Sequence, residues 1–128
     1  MTNHEAMNLA NQCAQAMFSR DAASQGMGMR LLSVAPGCAR LGMSVRADMI
    51  QGHGTCHGGY LFALADSAFA LACNSYNDAT VALGCSIDYI APAHLGDTLS
   101  ADCREQSRSG RTGNYDVRIE NQLGQLIA

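Results

Sequence analysis

Asp66 stands in the run YLFALADSAFALAC, residues 60–73, whose other members are almost all apolar. The run is apolar nearly all the way round a helix, the pattern of a helix buried on most sides. Asp is a poor choice for a helix interior. A carboxylate taken out of water unpaired is costly, so such groups are usually paired, protonated or functional. On the 3.6-residue period the side chains nearest Asp66 are Phe62, Ala63, Phe69 and Ala70. These apolar neighbours argue against a plain solvated stripe. A carboxylate held there can take a proton from water or attack an electrophile itself.

The segment just before the helix, Cys56-His57-Gly58-Gly59, offers the complementary chemistry. Two glycines at a helix start expose backbone N–H groups with no Cβ in the way, and the helix N-terminus carries partial positive charge. Such a place binds an anion or stabilises an oxyanion; the plainer alternative is a simple N-terminal turn. Gly58 and Asp66 are eight positions apart, about 12 Å along a helix. One small reacting group cannot touch both within a single chain. If both act on one carbonyl, they come from different subunits, and two central helices side by side and antiparallel give two equivalent sites.

Three further groups carry possible chemistry. Arg104, Arg108 and Arg111 fall close together, in a chain with no Lys at all; they read either as forks for phosphate or as a solvated, charged hairpin. His53, Cys56 and His57 crowd five positions, yet no second Cys/His pair has zinc spacing. Cys56 as a nucleophile beside His57 is disfavoured, because sequence neighbours on a glycine turn rarely point at each other.

Around these residues the hydrophobic period marks out the elements. Residues 4–18 repeat apolar side chains at helical spacing (Met7, Ala10, Ala14, Met17, Phe18). Residues 29–35 and 38–46 read as a β-hairpin about Pro36-Gly37, with Ala39, Leu41, Met43 and Val45 on one face. After the buried helix the period changes to two. Residues 80–90, 97–106, 113–121 and 125 onward read as strands, with turns at Ser109-Gly110 and Leu123-Gly124. The expectation is an α+β domain spanning residues 1–128, a curved antiparallel sheet around a central helix.

Bulk composition excludes several functions. A net charge of −3, no Trp, three Phe and four Tyr suit neither a nucleic-acid coat nor a base-stacking platform. No apolar run is long enough to span a bilayer, and residues 1–7 do not read as a secretory signal, so the expected compartment is the cytoplasm. Six scattered Cys without a C-x-x-C pair read as reduced thiols.

With these residues together, the chain resembles the hotdog-fold acyl-CoA thioesterases, most closely the phenylacetate-pathway (PaaI-type) group. The resemblance rests on Gln51, on His57-Gly58-Gly59 followed after six residues by Asp66, on Leu64-Ala65-Asp66-Ser67, on residues 87–93 (IDYIAPA) and on residues 96–99 (GDTL). It implies a sheet wrapped round one long helix, dimers commonly paired into tetramers, an acyl-CoA substrate and no metal or other cofactor. It implies that Asp66 is the catalytic carboxylate and that the Gly58 N–H, from the partner chain, polarises the thioester carbonyl. It implies that Gln51 helps place the carbonyl or the water and that His57 shapes the loop. An acyl pocket is expected between subunits, near Phe62, Phe69 and Tyr89, with Gly59 and Ser67 beside it and the arginines toward the nucleotide. The apolar lining points to an aromatic or medium acyl group, and the family leaning is toward ring-hydroxylated phenylacetyl-CoA. Two rivals stand beside this: a hotdog hydratase or dehydratase using His57 or His53, and a non-catalytic acyl-CoA-binding protein.

Overall fold

The computed structural model describes all 128 residues. Two helices, α1 (Asn3–Ser19) and α2 (Ala22–Gly26), precede the hairpin β1 (Arg30–Ala35) and β2 (Cys38–Ser44). A 3-10 turn over Ala47–Met49 leads through a loop into α3 (Gly58–Cys73), and β3 (Thr98–Ser109) and β4 (Thr112–Glu120) close the sheet. The four strands lie in the order β1-β2-β3-β4, every pair antiparallel. The register sets Ala39 opposite Cys103 and Cys103 opposite Val117.

The sheet packs one face on α3. Period two in the strands puts Ala39, Leu41, Met43, Leu99, Ala101, Cys103 and Ile119 on that face, all essentially buried. From α3 the stripe Leu61, Leu64, Ala68, Leu71 and Ala72 meets them. Each Leu buried this fully contributes about 1.5–3 kcal/mol, and truncating Leu64 to Ala would cost about 2–5 kcal/mol. No helix is long and apolar enough to cross a membrane.

The predicted elements meet the structure with two corrections. The helix over 4–18, the hairpin at Pro36-Gly37, the central helix and the strands at 97–106 and 113–121 are all present within a few residues. The expected strand over 80–90 is not: those residues join no ladder, and Val81 and Leu83 lie open. A strand exists only through its partner. Here Ile127 alone links the segment to β4, its carbonyl accepting the N–H groups of Ile90 and Ala91 while its own N–H donates to Ile119 O. The predicted strand from 125 is accordingly reduced to a bridge between Glu120 and Leu126.

Candidate active site

Helix α3 begins at Gly58 because His57 caps it. His57 is extended (φ −60°, ψ 133°), and its Nδ1 accepts the Gly59 N–H at 2.9 Å. That bond requires Nδ1 to be unprotonated. The Tyr60 N–H goes to the His57 carbonyl at 3.0 Å. The first N–H groups of a helix have no partner inside it. With those of Gly59 and Tyr60 taken by His57, the Gly58 N–H remains without a hydrogen-bond partner in the chain.

Gln51 lies in the loop that approaches this turn. Its backbone N–H donates to the Thr55 carbonyl and its Nε2 to Thr55 Oγ1, both at 2.9 Å. The amide oxygen Oε1 is left free to accept. Gln51, Thr55, Cys56, Gly58, Leu61, Tyr89 and Ala93 are among the residues lining a cleft of about 450 Å³. Tyr89 closes one side of it and donates its Oη to the Gly58 carbonyl at 3.1 Å.

Asp66 opens elsewhere. It lines a larger cleft of about 1060 Å³ with Phe62, Phe69, Tyr115, Arg40 and Arg104. The expectation of a carboxylate buried within the chain is not met: Asp66 is exposed, and Phe62, Ala63, Phe69 and Ala70 are only half-buried. The physical reason is one-sided packing. The sheet covers the Leu61–Leu64–Ala68–Leu71 stripe of α3 and leaves the Asp66 face uncovered by its own chain.

Sequence neighbours of Asp66 do other work. Ser67 shares a hydrogen bond with the buried Ser24 of α2 (2.7 Å between hydroxyls), and Ser24 donates in turn to the Asp21 carboxylate. Ser67 therefore ties α2 to α3 and lines neither cleft. Of the three arginines, Arg104 borders the Asp66 cleft with its guanidinium on Asp102 at 3.1 Å. Arg108 stacks on the Tyr76 ring at 3.6 Å and lies 3.9 Å from Glu105. Arg111 is exposed at the β3–β4 turn.

Sequence reasoning passed over Thr55, which holds Gln51, and Tyr115, which packs on Phe69 at 5.4 Å between ring centroids. Tyr115 was within reach of the period-two pattern, since counting back from inward Ile119 puts it on the helix-facing side of β4. Tyr115 and Tyr76 both donate to Glu105; burial and then those bonds push both phenols above their ordinary range.

The other chemistries find less support. Burial pushes the Cys56 thiol up, and its weak bond goes to the His57 carbonyl, not the ring. No three of the His, Cys, Asp and Glu side chains converge as ligands.

Residues 53–128 match the family described as the thioesterase superfamily. The chain belongs to the thioesterase superfamily. Acyl-coenzyme A thioesterase PaaI of Escherichia coli K12 is 44% identical over 117 residues, 91% of this chain and 84% of that protein. The solved structure of the E. coli PaaI protein from the phenylacetic acid degradation operon superposes with a TM-score of 0.94 at 43% identity, over 95% of this chain and 88% of that one. A Streptococcus mutans UA159 protein bound to acetyl CoA has a TM-score of 0.73 at 34% identity, covering 77% and 80% of the two chains. A protein of Streptococcus pneumoniae TIGR4 described as a hypothetical thioesterase protein, with coenzyme A, has a TM-score of 0.74 at 28% identity, again covering 77% and 80%. As a PaaI-type member of this superfamily, the chain has the hotdog arrangement of sheet and central helix.

Proposed function

We propose that this chain hydrolyses acyl-coenzyme A thioesters as a dimer at least, with Asp66 of one subunit and Gly58 of the partner subunit on either side of the thioester carbonyl. The observation that carries this is the pair of groups on α3: an unpartnered Gly58 N–H at its start, and an exposed Asp66 eight residues on, opening into a different cleft. At about 12 Å apart, they serve one carbonyl only if two helices run antiparallel. The E. coli relative is by name an acyl-CoA thioesterase, and the two streptococcal proteins hold acetyl CoA and coenzyme A; both facts favour this substrate class.

A thioester needs a nucleophile and a place for negative charge on its oxygen, because a thiolate leaves readily. The Gly58 N–H and the α3 dipole take the oxygen's charge. Asp66 either removes a proton from the attacking water or attacks the carbonyl carbon itself, giving an anhydride that water then opens. In both routes the C–S bond breaks and coenzyme A departs as its thiol. The acid carries the water oxygen in the general-base route; in the anhydride route it carries either the water oxygen or an Asp66 carboxylate oxygen, according to which carbonyl of the anhydride water attacks. Gln51 Oε1 can accept a hydrogen bond from the water. Phe62 and Phe69 favour an aromatic or medium acyl chain. Antiparallel pairing would also bring the β3–β4 hairpin of one subunit, with Arg104 and Arg111, toward the glycine turn of the other, where the nucleotide phosphates would lie.

Mixing two inactive variants tests this. Asp66→Ala and Gly58→Val each should lose about 100-fold or more in turnover, assayed as released thiol. Co-refolded, their heterodimers hold one site with both defects and one with neither, so about a quarter of wild-type activity should return in a statistical mixture. An inactive mixture whose heterodimers are verified by mass would sink the shared site.

A further inference from the structure

We propose that Tyr89 is a positioning residue: it locks the peptide plane after Gly58 and leaves the Gly58 N–H one direction of approach. The inference rests on the function proposed above and assigns Tyr89 a role distinct from lining an acyl pocket.

The peptide between Gly58 and Gly59 is gripped at both ends. Its carbonyl accepts from Tyr89 Oη at 3.1 Å, and its N–H donates to His57 Nδ1 at 2.9 Å. A peptide unit is planar and rigid, so two bonds on opposite edges fix its orientation. Fixing it fixes the Gly58 Cα. The neighbouring peptide, which carries the unpartnered Gly58 N–H, can then turn only about that Cα, and its own carbonyl, that of His57, is held by the Tyr60 N–H at 3.0 Å. Stabilising a developing oxyanion depends on such donors being aimed in advance.

The same ring explains why position 58 is glycine. Gly58 does not have the positive φ that favours glycine. A Cβ there would lie 2.9 Å from Tyr89 Cζ and Oη and 3.1 Å from Cε1. The atoms crowding it are those of one aromatic side chain, 54% exposed and hinged to move. Gly58→Ala would therefore push Tyr89 off and break its bond to the Gly58 carbonyl, while the backbone could still take its conformation. Gly59 differs: a Cβ there meets only the ring of its own cap, His57, with Nδ1 at 3.0 Å and Cε1 at 3.2 Å. The Tyr89 ring also walls the cleft shared by Gly58 and Gln51, so a carbonyl reaches the N–H from the Gln51 side.

The experiment is a kinetic cycle on the full chain, with an acyl-CoA substrate and a thiol indicator, kcat and KM read separately. Tyr89→Phe keeps the ring and removes the bond; kcat should fall about two- to ten-fold with KM moved less than about two-fold, the size of one lost hydrogen bond expressed only in the transition state. Gly58→Ala alone should lower kcat by about ten-fold or more. In a Tyr89→Ala background, where the space is open, adding Gly58→Ala should change kcat by less than about two-fold, a non-additive pair. A Tyr89→Phe kcat equal to wild type, or a Gly58→Ala loss of the same factor in both backgrounds, overturns the positioning role. Asp66→Asn, run alongside, separates the two levels. If it turns over like wild type, the site itself falls and Tyr89's role with it. If it is inactive while either Tyr89 result fails, only the positioning role is lost.

Discussion

His57 accepts the Gly59 N–H on Nδ1 at 2.9 Å, so the imidazole at the head of α3 is the helix's N-cap. A ring nitrogen committed to a backbone N–H cannot also shuttle a proton without releasing the helix start. This weighs against a hydratase-like role for His57 and toward a structural one.

The expected consequence is a separation of stability from chemistry. His57→Ala should cost about 0.5–2 kcal/mol, the usual loss for an N-cap, measured as a shift of the urea midpoint at constant slope. His57→Asn supplies another cap acceptor and should recover most of the stability and most of the turnover. A His57→Asn variant that folds normally yet is as inactive as Asp66→Ala would return His57 to the chemistry.

What the sequence revealed, and where it stopped, follows from the range of the forces involved. The alternation Ala39, Leu41, Met43, Val45 was legible because a strand with one buried face must repeat every two residues, and all four are buried. The candidate pair Gly58 and Asp66 stood out because each breaks a local rule, two glycines opening a helix and an acid inside one. The exposure of Asp66 was not, since it depends on which stripe of α3 the sheet covers, and both stripes are apolar. Residues 80–90 have strand composition, but pairing is decided by a partner many residues away. The Ser24–Ser67 hydroxyl contact, 43 residues apart, and the grip of Tyr89 on Gly58, 31 apart, leave no periodic trace.

The six thiols should react in the order of their burial, not of their proximity to the proposed site. Cys85 is exposed, Cys13 and Cys38 are half-buried, and Cys56, Cys73 and Cys103 are buried. The thiolate is the reactive form. Burial pushes Cys56 and Cys73 up, and pushes Cys103 to about 12. Brief alkylation of the native protein at mildly alkaline pH should label Cys85 first and leave Cys103 untouched until the chain unfolds, as read by peptide mass. Cys85 borders the Asp66 cleft, so the check on Cys56 is whether turnover falls in step with its own labelling, which it should not. Loss of activity in step with Cys56 modification would revive Cys56 as a nucleophile.

Acid should loosen the turn before β3 through Asp97. Its carboxylate accepts the Gln122 amide at 3.0 Å and the His94 backbone N–H at 2.8 Å. The Gln122 bond, then the His94 bond, hold the carboxyl below the usual carboxylate range. A folded-state value below the unfolded one means that the contribution is fully present above the unfolded carboxyl range, about pH 4, and is lost as pH falls through the folded value. Gln122 also accepts the Thr98 N–H at 3.0 Å, so protonating Asp97 frees the amide that pins the first residue of β3. Urea midpoints of wild type and Asp97→Asn should therefore differ above about pH 5 and draw together as pH drops below about 4. A constant difference across that range would show that the carboxylate's charge contributes nothing and that only its shape matters.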